Sequence, residues 1–360
     1  MTTKGLDPAQ VPAEWADVTP EWMTDAISVR HPGARVQEVE LIMVDNGTNR
    51  RARFGLTYVE GSGPDVVFAK AEGDYRQAHA LNGNMFNEPD LFASGVSLPV
   101  DHPLAYKVLI DRPALDYVIV MEDVVQRGAD PRDATRPMTV DQVANGVRGL
   151  ARLHSQYWGF SAHSYPELRW VQTWEATAGF ASGLVARLPT GLERGAPVLP
   201  DPVLRLGARG IVDAWARSVN SLAHGPVTLL HGDPHIGNTY VLPDHDIGFL
   251  DWQVARRGNW SQDVGYFVVS ALEVADRRDS EADLLEVYRR SLDVPDGECP
   301  SAEEAWLRYR AAPGYGLAVW LATLGSDTAQ RREVCLALCE RYAAAFVELD
   351  TLDALAALHV

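Results

Sequence analysis

Leu230-His231-Gly232-Asp233-Pro234-His235-Ile236-Gly237-Asn238, together with Asp251 further on, is the most specific pattern in this chain. Two short apolar runs, Thr239–Leu242 and Ile247–Leu250, flank the polar tetrad Pro243–Asp246. That pattern predicts a β-hairpin with a four-residue loop. Pairing Leu242 with Ile247 carries the register back until Asn238 lies opposite Asp251. Directly opposed residues hold their Cβ atoms about 5 Å apart. An amide oxygen and a carboxylate then converge beside Asp233, on the loop before the hairpin. Hard oxygen ligands of this kind suit Mg²⁺, which takes one or two protein groups and completes its shell from phosphate and water.

Asp233 precedes Asn238 by five positions. The protein-kinase catalytic loop has the same spacing, with Asp handling the attacking hydroxyl and Asn on the metal. The HGDxHxxN…DW pattern resembles the aminoglycoside phosphotransferase and choline kinase-like family. The DWQ form (Asp251-Trp252-Gln253), with Gly258-Asn259-Trp260-Ser261-Gln262-Asp263 after it, is most similar to the ecdysteroid-kinase-like branch. The resemblance spans residues 36–350. It implies an α+β, bilobal protein-kinase-like fold, with a small β-rich N-lobe and a large, mostly helical C-lobe. It also implies ATP and Mg²⁺ as cofactors, with ATP in the cleft between the lobes. Asp233 would orient the acceptor hydroxyl, and Asn238 and Asp251 would hold the metal. Asp263, at a helix start, would anchor the backbone of the catalytic loop. His231 and His235 are expected to hold that loop by hydrogen bonds to backbone.

Rival readings of the same residues exist. Gly, Pro, Asp and Asn are turn formers, so HGDP alone reads as a turn between strands. His231, Asp233 and His235 alternate, and His/Asp sets bind zinc or iron, which would make the chain a metal-dependent hydrolase. A catalytically silent nucleotide-binding protein is the third alternative.

At 360 residues the chain suits two lobes. Hydrophobic residues at 46 % and charged residues at 22 % describe an ordinary globular composition. The net charge of −17 argues against nucleic acid as a partner. A small-molecule alcohol is the expected acceptor, and the chain is expected to be a monomer or homodimer. Cys299, Cys335 and Cys339 make an odd, low count that fits a reducing cytoplasm. No apolar run reaches the roughly 18 residues that a membrane span needs.

Domain boundaries are expected as follows: residues 1–121 form an N-terminal arm and nucleotide-binding lobe, 122–127 a hinge, and 128–360 the helical lobe. Residues 1–18 read as an irregular arm, and Thr19-Pro20 opens a short helix with Trp22, Ile27 and Val29 as its apolar surface. Val39–Val44, Arg51–Val59 and Asp65–Lys70 read as strands. The turn between the first two, including Gly47, Thr48 and Asn49, would offer backbone N–H groups to phosphates. Lys70 ends the third strand, where kinase-like folds pair a lysine with ATP phosphates and with a helix glutamate. Glu88 is the expected partner. Glu72 is the alternative, because Pro89 disfavours helix at the residue before it.

Ala105–Ile110 and Tyr117–Met121 are further strands, the second running into Glu122-Asp123-Val124. There the resemblance places a hinge, with adenine bonded to backbone near Glu122 and Val124. Thr139 and Gln142 form a capping box for a helix through Tyr157. Ser261 is expected to cap the helix that carries Tyr266, and helices are expected over Ser301–Ala312 and Gln330–Leu349.

Overall fold

The computed structural model describes residues 7–175, 178–327 and 330–358, with the Asn46 side chain left aside. The chain divides into two compact units: Met1–Val96 with Pro103–Ala129, and Ser97–His102 with Asp130–Val360.

In the first unit, α1 (Pro20–Ile27) starts as its sequence dictates. The Thr19 hydroxyl accepts the Trp22 N–H, and Pro20 sits in the first turn. Val29 does not belong to its apolar face; it lies past the helix end and is exposed. Strands β1 (Arg35–Asn46), β2 (Asn49–Glu60) and β3 (Val66–Glu72) precede the short helices α2 (Arg76–Asn82) and α3 (Asn87–Ala93), then β4 (Ala105–Asp111) and β5 (Asp116–Glu122). The five strands form one antiparallel sheet in the order β1-β2-β3-β5-β4.

Strand alternation sorts the two faces of this sheet. Val67, Ala69, Ala71, Val118 and Val120 join Trp22, Met23 and Ile27 of α1 in one core cluster. Tyr117, Ile119 and Met121 face the other way, with Phe68, Met85 and Phe86. Lys70 alternates with Ala69 and Ala71, so it falls on this second face, beneath α2 and α3.

The described part of the N-terminal arm packs against the sheet. Trp15 is buried in the first cluster. The Arg50 guanidinium stacks 5.0 Å from the Trp15 ring and donates to the carbonyls of Ala13 (2.6 Å) and Pro12 (3.1 Å).

The second unit contains β6 (Asp130–Pro131), α4 (Val140–Gln156), α5 (Ala178–Gly195), α6 (Asp201–Ser221), β7 (Val227–Leu230), β8 (Thr239–Val241), β9 (Ile247–Phe249) and β10 (Arg256–Asn259). Then come α7 (Ser261–Ala271), α8 (Val274–Ser291), α9 (Ala302–Ala311), α10 (Pro313–Leu324), α11 (Arg332–Glu348) and α12 (Thr351–Ala357). The Thr139/Gln142 capping box closes in both directions.

Every residue of α7 is buried, so this helix is a central pillar rather than an amphipathic surface element. Ser261 is its first residue, not its cap. The capping oxygen comes from two residues earlier, where Asn259 Oδ1 accepts the Ser261 N–H at 3.1 Å. Helices α8, α10 and α12 were not anticipated. Helix α8 is charge-rich, and it buries Arg277 against Glu281 instead of offering a plain apolar stripe. No helix among the described residues is long and apolar enough to cross a membrane.

Candidate active site

The hairpin after the His231–Asn238 loop is one residue out of the expected register. Val241 pairs with Ile247, and Thr239 with Phe249. Leu242 donates its N–H to Asp246, not to Ile247, and His245 donates to the Leu242 carbonyl. The loop therefore has three residues, Pro243 to His245, and its last residue is left-handed (His245 φ 68°). Three-residue hairpins need one left-handed residue, ordinarily glycine, and histidine there gave no such signal. One consequence is that Asn238 lies opposite Leu250, whose N–H donates to the Asn238 carbonyl at 2.7 Å. Asp251 follows with φ 59° and ψ 69°, off the strand. A one-residue slip would otherwise turn its side chain to the far face.

Asp233 and Asn238 meet directly. The Asn238 Nδ2 donates to the Asp233 carbonyl (2.9 Å) and to its carboxylate Oδ2 (3.1 Å). Two acceptors on the nitrogen fix the amide, so its oxygen is turned away from Asp233. Asp233 is recessed but keeps 29 % of its side chain open. Burial, and next the neighbouring Asp251 carboxylate, push its pKa up to about 8, while Tyr266 and Asn238 pull the other way. Asp251 is thus close enough to be felt electrostatically by Asp233 and by His235.

The loop is held from three sides. Asp263 is fully buried, and its two oxygens accept the N–H groups of His231 (2.8 Å) and Gly232 (2.9 Å). His154, also fully buried, lies 3.2 Å from Asp263 through Nε2 and 2.8 Å from the Tyr288 hydroxyl through Nδ1. Asp233 donates its N–H to His231 Nδ1 (3.3 Å), so the proton sits on Nε2, which donates to the Leu250 carbonyl at 2.8 Å. One imidazole therefore ties the loop to the residue before Asp251. His235 accepts the Gly237 N–H on Nδ1 at 3.0 Å, and burial pushes its pKa down to about 3. Gly232 has φ 87°, and a Cβ there would stand 2.1 Å from the Val254 carbonyl oxygen, so only glycine fits between His231 and Asp233.

In the first unit, Lys70 and Glu88 form a buried ion pair at 2.6 Å. Glu88 and Pro89 both occupy the first turn of α3, where backbone N–H groups have no intrahelical partner, so the proline costs no hydrogen bond. Glu72 is occupied otherwise, with His79 Nδ1 at 2.8 Å and the Gly73 N–H at 3.0 Å. At the turn, Gly47 and Thr48 connect β1 to β2. Asn49 is already in β2, and its buried amide donates to the Tyr117 hydroxyl at 3.1 Å, so only its backbone could serve a ligand. Glu122 spends its N–H on the Leu104 carbonyl (2.8 Å). Val124 opens a 3₁₀ turn capped by Asp123, which also binds Arg53.

A zinc or iron site of His231, Asp233 and His235 does not form. Both ring nitrogens of His231 face backbone groups, and among the described residues no three His, Cys, Asp or Glu side chains are grouped to hold a metal. The donor set fits Mg²⁺ better: the Asp251 carboxylate and the oriented Asn238 amide oxygen are hard donors, and a cation would relieve the repulsion between Asp251 and Asp233.

From the sequence His154 reads as a packed helix residue, which its full burial bears out, and Tyr266 is given no role at the site. Tyr266 had a usable signal, since it lies three positions after Asp263 and so on the same helix face.

The sequence matches the phosphotransferase enzyme family (APH) over residues 93–310, more than half of the chain. That broad family does not distinguish the ecdysteroid-kinase-like branch. A comparison with curated proteins gives no match. Among solved structures, the spectinomycin phosphotransferase APH(9)-Ia in complex with ADP and spectinomycin aligns with a TM-score of 0.54 at 14 % identity, covering 93 % of this chain and 99 % of that one. The choline kinase LicA from Streptococcus pneumoniae aligns at 0.49 and 12 % identity, covering 91 % and 98 %. The chain belongs to the APH phosphotransferase enzyme family, and it has that family's protein-kinase-like fold.

Proposed function

We propose that this protein transfers the γ-phosphoryl group of ATP, with Mg²⁺, to a hydroxyl group of a small molecule. The observation that carries this reading is the Asn238 amide clamped onto Asp233, with Asp251 beside them. It gathers one amide oxygen and one carboxylate that suit a metal, and a second, partly open carboxylate that suits an acceptor. Asn238 and Asp251 would hold the Mg²⁺, which when bound neutralises phosphate oxygens. Asp233 accepts a hydrogen bond from the acceptor hydroxyl and aims it in line. The first unit supplies the nucleotide contacts: Lys70, kept in place by Glu88, for the phosphates, the Gly47–Thr48 turn for backbone N–H donors, and Val124 for adenine. The ADP in the spectinomycin phosphotransferase complex supports a nucleotide donor. Positioning and charge stabilisation supply most of the acceleration in phosphoryl transfer, so this short set of groups is sufficient.

A thermal-shift titration with ATP, with and without Mg²⁺, tests the reading. A ligand that binds only the folded state stabilises it by about 2.7 kcal/mol at a hundredfold excess over its Kd. A Mg²⁺-dependent rise in melting temperature is expected. The absence of a shift with any nucleotide would overturn the proposal.

A further inference from the structure

Tyr266 stands one turn along α7 from Asp263, on the same face. Asp263 holds the backbone of the catalytic loop, so its helix neighbour is brought to that loop's side chains. Tyr266 is 2 % exposed. Its hydroxyl is near enough to the Asp233 carboxylate to lower that group's pKa and near enough to the Trp320 indole to be affected by it, and His235, against which both rings pack, lies 3.8 Å from Asp233 Oδ2. The hydroxyl stops short of normal hydrogen-bond geometry with both: the Tyr266 hydroxyl and Trp320 Nε1 are buried polar atoms without a closed protein partner. The Tyr266 ring is edge-on to His235 at 6.1 Å, and the Trp320 ring is edge-on to the same imidazole at 4.9 Å. Tyr342 donates its hydroxyl to the Tyr266 carbonyl at 2.7 Å, which fixes the helix at this residue.

The direction of this chain is set by chemistry. An indole N–H only donates. Near the Tyr266 oxygen, it leaves the phenol proton to point away, toward Asp233. Asn238 already occupies Oδ2 of that carboxylate. A donor from Tyr266 is then the second fixed point that an otherwise rotating carboxylate needs.

We propose that Tyr266, oriented by Trp320, is a positioning residue: it donates to Asp233 and holds the carboxylate in the rotamer that meets the acceptor hydroxyl. The proposal rests on the phosphotransferase reading of the same site. Tyr266 does not touch the nucleotide in this reading, so its loss falls on kcat and leaves the KM for ATP alone.

The test uses the full chain and the Mg²⁺-dependent release of phosphate from ATP, with water as the acceptor. Tyr266→Phe is expected to lower kcat about tenfold, the scale of one hydrogen bond to a charged group, at unchanged KM for ATP. Installing 4-aminophenylalanine at position 266 restores an N–H donor and is expected to recover most of that loss. Trp320→Phe keeps a ring against His235 but removes the indole donor, and should lower kcat in the same direction by less. An unchanged kcat in Tyr266→Phe, an equal loss in the 4-aminophenylalanine protein, or a rise in KM matching the fall in kcat would each overturn the proposal. If the unaltered protein releases no phosphate but binds Mg·ATP, crystals of it and of Tyr266→Phe decide. One Asp233 rotamer in the former and several in the latter sustain the positioning role; one rotamer in both overturns it. If Mg·ATP does not bind at all, the phosphotransferase reading itself fails, and the positioning role falls with it.

Discussion

The Asn238 amide donates to both the carbonyl and the carboxylate of Asp233, so the residue proposed to hold metal also fixes the residue proposed to orient the acceptor. Two functions share one side chain, and they should separate under substitution. Asn238→Asp keeps an oxygen ligand but places a third carboxylate beside Asp233 and Asp251. We expect weaker phosphoryl transfer than in Asn238→Ala at saturating Mg²⁺, measured as kcat. The opposite ranking would show that the Asp233 contact is incidental.

Asp233→Ala should remove transfer while nucleotide binding survives. The proposed role is orientation of the acceptor, and general-base or positioning carboxylates contribute about 10²- to 10⁴-fold. Side-by-side kinetics and ATP titrations check this; an active Asp233→Ala protein contradicts the assignment. Asp251→Ala should instead weaken Mg·ATP affinity itself, visible as a loss of the Mg²⁺-dependent thermal shift.

Lys70 and Glu88 are 6 % and 2 % exposed as side chains. Breaking a buried ion pair by removing one partner costs about 3–5 kcal/mol. Glu88→Leu alone should therefore destabilise the protein strongly in urea unfolding. The double variant Lys70→Met/Glu88→Leu should recover much of the loss while still failing to bind ATP. Additive effects in the double variant would mean that the pair is not coupled.

Gly232→Ala forces a Cβ against the Val254 carbonyl oxygen and demands a left-handed alanine. The strain of such a conformation alone costs about 1–3 kcal/mol. The expected result is a lower melting temperature and a displaced Asp233, with loss of transfer exceeding loss of stability. A Gly232→Ala protein of normal stability and activity would remove the steric argument.

Glu348 binds Arg277 and Arg278, and the hydrogen bonds from Arg278, then Arg277, hold its carboxyl below the usual 4.5. A carboxylate with a depressed folded-state pKa stabilises above its unfolded value and loses that contribution as pH falls through the folded one. Melting temperature should therefore drop as pH falls below about 4.5, and Glu348→Gln should show a shallower drop, because it has lost the pair already. Parallel slopes in calorimetry at the two ends of this window would exclude the contribution.

The motif residues Asp233, Asn238, Asp251 and Asp263 were legible because their types and spacing are chemical requirements, independent of packing. Lys70 was legible because strand alternation and chain order place it. The capping box at Thr139 was also local, and local rules sufficed. By itself, then, the sequence determined the strands of the first unit, the family motif and the identity of the charged groups. Tertiary structure decided the rest. The hairpin register turned on one left-handed histidine, His245, which carries no glycine signal. The choice of Glu88 over Glu72 depended on which face of the sheet α3 covers. His154 and Tyr266 acquired roles only when α4 and α7 packed beside the loop, because hydrogen bonds between residues more than a hundred positions apart, such as His154 to Asp263, depend on packing that local patterns do not encode.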